Sequence, residues 1–167
     1  SDTDVLYVST GIFDREAANS DPVAGTPGGE GIVKSVDGGE TWNEVNHGLK
    51  NLYVGSLYMH PEVPNLLLAG TGNNQYYQDA GVYRTDDGGQ NWSRVLAGDD
   101  PINAVEFSDA DPDVAYAGSA RSIYRSDDRG LTWERVSPDE DGWGPAGVRA
   151  GFPIDFQSDP DLSLIHI

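Results

Sequence analysis

Two carboxylates sit where acid–base chemistry would need them. Glu106 precedes Phe107 and Asp155 precedes Phe156, each late in a short apolar run that leads to a Pro turn. Carboxyls about 5–5.5 Å apart suit a retaining glycosidase, and about 6.5–9.5 Å an inverting one, with one group raised in pKa to act as the acid. The plainer alternative is that both are solvated or paired with an arginine such as Arg149. A second group suits sugar contact. In Asn73-Asn74-Gln75-Tyr76-Tyr77-Gln78-Asp79, the amides of Asn74 and Gln75 can bond hydroxyls while Tyr76 and Tyr77 stack on sugar faces. An ordinary polar loop with its tyrosines packed on the fold is the competing reading. Trp143, in an acidic Gly-rich stretch, is either a binding platform or a plug.

Other chemistry finds little footing. The chain has no Cys, which excludes a thiolate zinc site, a Cys nucleophile and a disulfide scaffold. His47 and His60 form no metal-ligand constellation, and no phosphate-cradling loop is present. Asp109-Ala110-Asp111-Pro112-Asp113 spaces its carboxylates like the start of a calcium loop but lacks the Gly and the distal Glu, so it reads as a turn. Asn91-Trp92-Ser93 matches a glycosylation sequon, discounted because it lies inside a repeated motif. No metal and no cofactor are expected.

The elements that must position these groups are set by repetition. Three segments share the form [Ser/Thr]-x-Asp-x-Gly-x-[Thr/Asn]-Trp: Ser35–Trp42 with Asp37 and Gly39, Thr85–Trp92 with Asp87 and Gly89, and Ser126–Trp133 with Asp128 and Gly130. Before each lies a short apolar strand (Ile32-Val33-Lys34, Val82-Tyr83-Arg84, Ile123-Tyr124-Arg125), and after each a strand ending at Val45, Val95 or Val136. Val5–Thr10, Leu66–Thr71 and Val114–Ser119 also align, as do the runs reaching Pro64-Asn65, Pro112-Asp113 and Pro160-Asp161. Four short strands per unit, separated by Gly, Asp and Pro turns and without helical periodicity, predict an all-β fold of propeller blades.

The motifs resemble Asp-box, or bacterial neuraminidase, repeats, and the resemblance covers nearly the whole chain. Propellers of that kind include sialidases, xyloglucan-degrading glycosidases, the sortilin ectodomain and a photosystem II assembly factor. The resemblance therefore implies a fold and leaves activity open. It implies that each box is a hairpin between a blade's third and outermost strands, at the rim. There the Asp and Ser/Thr would bond turn amides, the Gly would take positive φ, and the Trp would pack on the turn and the neighbouring blade. The box carboxylates are accordingly read as structural. No Arg-Ile-Pro motif is present, which weakens a sialidase reading.

The expected organisation is an incomplete propeller of about three four-stranded blades over residues 1–161, in units of about 4–65, 66–113 and 114–161. It is expected to begin at a blade's second strand and to pair with further blades of the same propeller. Leu162–Ile167 spells the translation of a transposase-end sequencing adapter and is expected to be a non-native tail, with a genuine short strand as the alternative. Function is expected at the loop face, binding glycan or protein, in a secreted or cell-surface setting; if the protein is an enzyme, a glycoside hydrolase is expected.

Charge narrows the partners. With 28 Asp+Glu against 10 Lys+Arg, the net charge of −18 argues against phosphate backbones and anionic lipid. No apolar run approaches the roughly 20 residues of a membrane helix. Half of the aspartates fall in boxes or Pro turns, so much of the excess is turn architecture; the scarcity of Lys fits a saline origin.

Overall fold

In the computed structural model, the described residues are 4–11, 29–72, 78–98, 100–119, 121–137, 157–158 and 165–166. The apolar runs become short antiparallel strands because β-branched and aromatic residues alternate faces between Gly, Asp and Pro turns. Blade 1 comprises β1 (Leu6–Ser9), β2 (Ile32–Ser35) and β3 (Asn43–Glu44), hydrogen-bonded in that order. Blade 2 runs β4 (Val54–Met59), β5 (Leu67–Thr71), β6 (Gly81–Thr85) and β7 (Ser93–Ala97). Blade 3 repeats it with β8 (Ile102–Phe107), β9 (Ala115–Ser119), β10 (Ile123–Ser126) and β11 (Glu134–Arg135). A final antiparallel pair joins β12 (Gln157–Ser158) to β13 (Ile165–His166). These sheets are the blades of an incomplete β-propeller, with β4 and β8 as first strands.

The core lies between the blades. One cluster joins Ile32 of blade 1 to Val54, Leu67, Ala69, Tyr83 and Trp92 of blade 2. The next joins Leu68 and Val82 of blade 2 to Val105, Phe107, Ala115 and Ala117 of blade 3. Strand alternation explains the arrangement: Leu67 and Ala69 face blade 1, while Leu68 between them faces blade 3. The first strands are also joined directly, since the Val105 amide donates to Ser56 Oγ at 3.1 Å.

The three boxes share one hydrogen-bond pattern. The Ser/Thr hydroxyl donates to the Asp carboxylate at 2.7 Å in all three. The same hydroxyl accepts the amide of Gly39, Gly89 or Gly130 at 2.8–3.0 Å. The carboxylate then takes both the amide (2.8–2.9 Å) and the side chain of Thr41, Asn91 or Thr132. The position before the motif Gly is Gly38 at φ +73°, Gly88 at +72° and Arg129 at +58°. Arg129 keeps this left-handed turn without being glycine. Its amide bonds the Asp113 carbonyl and its side chain pairs with the Asp113 carboxylate. The amides of Gly38 and Gly88 likewise bond the carbonyls of Asp4 and Asn65. Every box thus fastens onto the turn before its blade's second strand.

The tryptophans divide. Trp92 is buried against blade 1: its Nε1 donates to the Val45 carbonyl at 2.8 Å and its amide to the His47 carbonyl at 2.9 Å. Gly48 (φ +93°) passes so close to the Trp92 backbone that a Cβ would sit 2.1 Å from its carbonyl oxygen. Trp133 is half-buried against the cluster between blades 2 and 3. Trp42 is 40% exposed, so it packs on its own turn, with Nε1 bonded to the Gly39 carbonyl at 3.1 Å, and not on a neighbouring blade. Truncating Trp92 to Ala should cost about 3–5 kcal/mol in urea denaturation, the usual loss for a buried aromatic. The exposed Gln90→Ala should stay within about 0.5 kcal/mol.

His60, buried to 1% exposure, has a role that sequence reasoning did not assign. Its Nδ1 accepts the amides of Glu62 and Val63 at 3.1 Å, capping the turn before β5, and its ring meets Phe107 edge-on at 4.8 Å. Burial, then the charge of Arg129, pushes its pKa below the ordinary value; the Pro112 carbonyl, Glu62 and Asp113 oppose them. Hydrogen bonds from Asn91 and Thr85 hold the Asp87 carboxyl at about 2. At Asp128, burial pulls upward but the bonds from Thr132 and Ser126 outweigh it, again giving about 2. Asp37 is likewise lowered, chiefly by Thr41 and Ser35. A depressed His contributes stability above its unfolded pKa of 6.5, lost as pH falls toward the folded value. Depressed carboxylates contribute stability above 3.8, lost as pH falls through about 2. Denaturation midpoints should therefore fall below pH 6.5 and again below pH 4. His60→Asn should flatten the first step alone.

Candidate ligand-binding face

The described ends of the second and third strands, Ser9 beside Ile32, Thr71 beside Gly81 and Gly118 beside Ile123, lie at corresponding ends of the three blades. A hydroxyl at the end of each second strand organises that end. Thr10 Oγ1 donates to the Gly31 carbonyl (2.9 Å) and accepts the Glu30 amide (2.8 Å). Thr71 Oγ1 both donates to the Gly81 carbonyl and accepts its amide, each at 3.1 Å. Ser119 Oγ accepts the amides of Arg121 and Ser122. These residues close the aligned runs Val5–Thr10, Leu66–Thr71 and Val114–Ser119, a signal visible in the sequence but not given a role. The first strands carry a register shift at this same end, between Val54 and Ser56 in β4 and between Ile102 and Ala104 in β8. Bulges there redirect the chain into the loops.

The stem of the amide–tyrosine loop is fixed from several sides. The Gly72 amide donates to the Tyr53 carbonyl at 2.8 Å. Asn51, 5% exposed, donates from Nδ2 to the Gln78 carbonyl at 3.0 Å, and its Oδ1 accepts the Tyr53 amide at 3.0 Å. Tyr83 OH bonds the Asp79 carbonyl at 2.9 Å, and the Asp79 carboxylate pairs with Arg94 at 3.2 Å. Burial raises the Tyr83 pKa, so its phenol remains a donor. A second pair, Asp100 with Arg121 at 3.5 Å, ties a blade 2–3 connection to the short β9–β10 loop. Asn51, Tyr53 and Tyr83 were not singled out from sequence, because only the fold brings residues 51–53 beside Gly72 and Gln78.

The predicted ligand contacts Asn74, Gln75, Tyr76 and Tyr77 lie outside the described residues, as do Trp143, Arg149 and Asp155. Glu106 is described. It lies in β8, 6% exposed, opposite Tyr116 in the register. Val105 and Phe107 face blade 2, so alternation puts Glu106 on the opposite face of the sheet, with Ala104 and Tyr116. It occupies the position that Tyr58 holds in β4. Asp109–Asp113 forms the β8–β9 turn, with the Val114 amide on the Asp111 carbonyl and the Asp113 amide on Asp111 Oδ1. No cluster of three metal-ligating side chains occurs among the described residues. Asn91 Nδ2, the atom a glycan would modify, bonds Asp87 at 2.7 Å.

Sheet order, box geometry and inter-blade cores together define an incomplete β-propeller with Asp-box hairpins. The BNR/Asp-box repeat model matches residues 83–94 and 124–135. Among solved structures, the chain is similar to the GH74 xyloglucanase from Xanthomonas campestris at 23% identity (TM-score 0.57), covering 89% of this chain and 23% of that one. An ancestral GH74 enzyme is also 23% identical (TM-score 0.55), over 67% of this chain and 16% of that one. The GH74 enzyme of Niastella koreensis is 21% identical (TM-score 0.54), over 78% and 20%. The chain therefore spans less than a quarter of these structures, and at such identities the likeness speaks to fold. Comparison with curated proteins gives no match.

Asn51→Ala should cost about 1–3 kcal/mol by leaving the Tyr53 amide without its side-chain acceptor. It should also speed amide exchange at Tyr53 relative to the blade 3 strands.

Proposed function

We propose that this chain is part of a secreted or cell-surface propeller that recognises carbohydrate through its loop face. The observation that carries the reading is the fixed stem at Gly72, Gln78 and Asp79, which brackets Asn74, Gln75, Tyr76 and Tyr77. A loop held at both ends loses less entropy when it engages a ligand, and rings beside amides suit a hydroxylated, flat-faced one. Trp143 and Arg149 belong to the same proposal as further contacts.

A hydrolytic reading would use Glu106 and Asp155 as acid and base, and the likeness to the Xanthomonas xyloglucanase lends it a motive. It asks a carboxylate on the inter-blade side of β8, beside Tyr116, to meet substrate. The binding reading makes no such demand.

A glycan array probed with the full-length protein should give selective binding to a plant or bacterial polysaccharide. Tyr76→Ala and Tyr77→Ala should each weaken that binding about tenfold, near 1.4 kcal/mol. Absence of glycan binding, or unchanged binding in both variants, would overturn the carbohydrate reading and leave a protein ligand as its replacement.

A further inference from the structure

We propose that His60 is a proton-operated latch: when its ring takes up a proton, the β4–β5 turn opens and the second box loses its anchor, loosening blade 2 against both neighbouring blades at the box end.

The hydrogen bonds of the ring fix which nitrogen holds its proton. Nδ1 faces the amides of Glu62 and Val63, two donors, so it is the acceptor of a neutral imidazole. The proton of that neutral ring is therefore on Nε2. Nε2 is buried, makes no hydrogen bond of ordinary geometry among the described residues, and has the Pro112 carbonyl of blade 3 as its neighbouring acceptor. A protonated ring carries N–H on both nitrogens. Its Nδ1–H points at two other N–H groups, so neither bond survives. The ring is fully enclosed and meets Phe107 edge-on, so it reaches water only by leaving its seat.

The turn carries that loss to two interfaces. His60 itself is the contact with blade 3, through Phe107. Within the turn, the Leu66 amide bonds the Val63 carbonyl and the His60 amide bonds the Leu66 carbonyl. Asn65, beside Leu66, accepts the Gly88 amide and so anchors the second box. The Gly88 carbonyl in turn accepts the Tyr7 hydroxyl at 3.1 Å and Lys34 Nζ at 3.3 Å, both from blade 1. One ring thus begins a bonded path that runs from blade 3 to blade 1.

The surrounding groups set where the latch works. Burial opposes the cation most, and Arg129 in the third box opposes it too. The Pro112 carbonyl, Glu62 on the turn itself and Asp113 on the β8–β9 turn favour it. The balance keeps the ring neutral near neutrality, so the latch opens only as pH falls below 6.5. Blade 3 has the same turn with a cap that does not titrate. There the Ser108 amide meets the Val114 carbonyl, the Val114 amide meets the Asp111 carbonyl, and Ser108 Oγ accepts the Asp111 amide at 3.4 Å. The Asp113 carbonyl holds the Arg129 amide as Asn65 holds Gly88. The molecule thus contains its own control.

Amide exchange of the whole chain, corrected for intrinsic rates and followed beside the ring-nitrogen NMR shifts of His60, tests this. Between about pH 7 and about pH 5, protection at Glu62, Val63 and Gly88 should fall at least about fivefold, the loss expected for removing a hydrogen-bond acceptor. The midpoint should coincide with the titration of the His60 ring. Asp111 and Arg129 in blade 3, and Gly72 at the far end of blade 2, should keep their protection. His60→Asn takes up no proton, so its turn and Gly88 should exchange alike at both pH values, whether or not the new side chain caps the turn. A ring that protonates while Glu62, Val63 and Gly88 stay protected would overturn the proposal. So would the same loss in His60→Asn, or a turn that opens while Gly88 holds. Unfolding of the entire chain before the ring protonates would equally remove the latch.

Discussion

A single carboxylate per blade closes the outer hairpin, and the rest of the arrangement hangs on it. Asp37, Asp87 and Asp128 each gather a hydroxyl, a backbone amide and a neighbouring side chain onto two oxygens. Ionised acceptors make stronger hydrogen bonds than neutral ones, and a turn held this way needs little apolar support. That frees the following Trp to work between blades. Trp92 does so, reaching across to Val45, and the close passage at Gly48 follows from its position. The strongly lowered pKa values of these groups record a structural role and do not mark an active site.

Much of this was legible from residue types. The box motif dictated its hydrogen bonds, the apolar runs their strands, and the repeat the order within each sheet. Two features were not legible. The burial of a repeated residue depends on what stands beside its blade, so Trp42 and Trp92 share a motif yet differ in exposure. The cap at His60 also escaped notice, because blade 3 uses Ser108 at the matching place, where its Oγ accepts the Asp111 amide. Two side chains of different chemistry do the same work, and a motif search sees no relation between them.

The candidate site divides in the same way. Composition pointed to the amide–tyrosine loop, but the flanking Gly72, Gln78 and Asp79 are held by Asn51, Tyr53 and Tyr83, which no motif marks. Glu106 shows the converse. Its alignment with Asp155 suggested a catalytic pair, whereas strand alternation assigns it to the side of β8 that faces away from blade 2. A position in the repeat says which face before it says which chemistry.

Because each described blade packs on the one beside it, the molecule is in effect a one-dimensional lattice. In such an array, stability is approximately a sum of unit and nearest-neighbour terms. A defect within one unit then weakens its two junctions and leaves more distant ones intact, so unfolding can proceed stepwise along the array. The same locality explains how residue 129 departs from glycine while the neighbouring boxes do not: its compensating contact with Asp113 is confined to its own blade. Units of this kind can change separately, one turn at a time, without renegotiating the whole architecture.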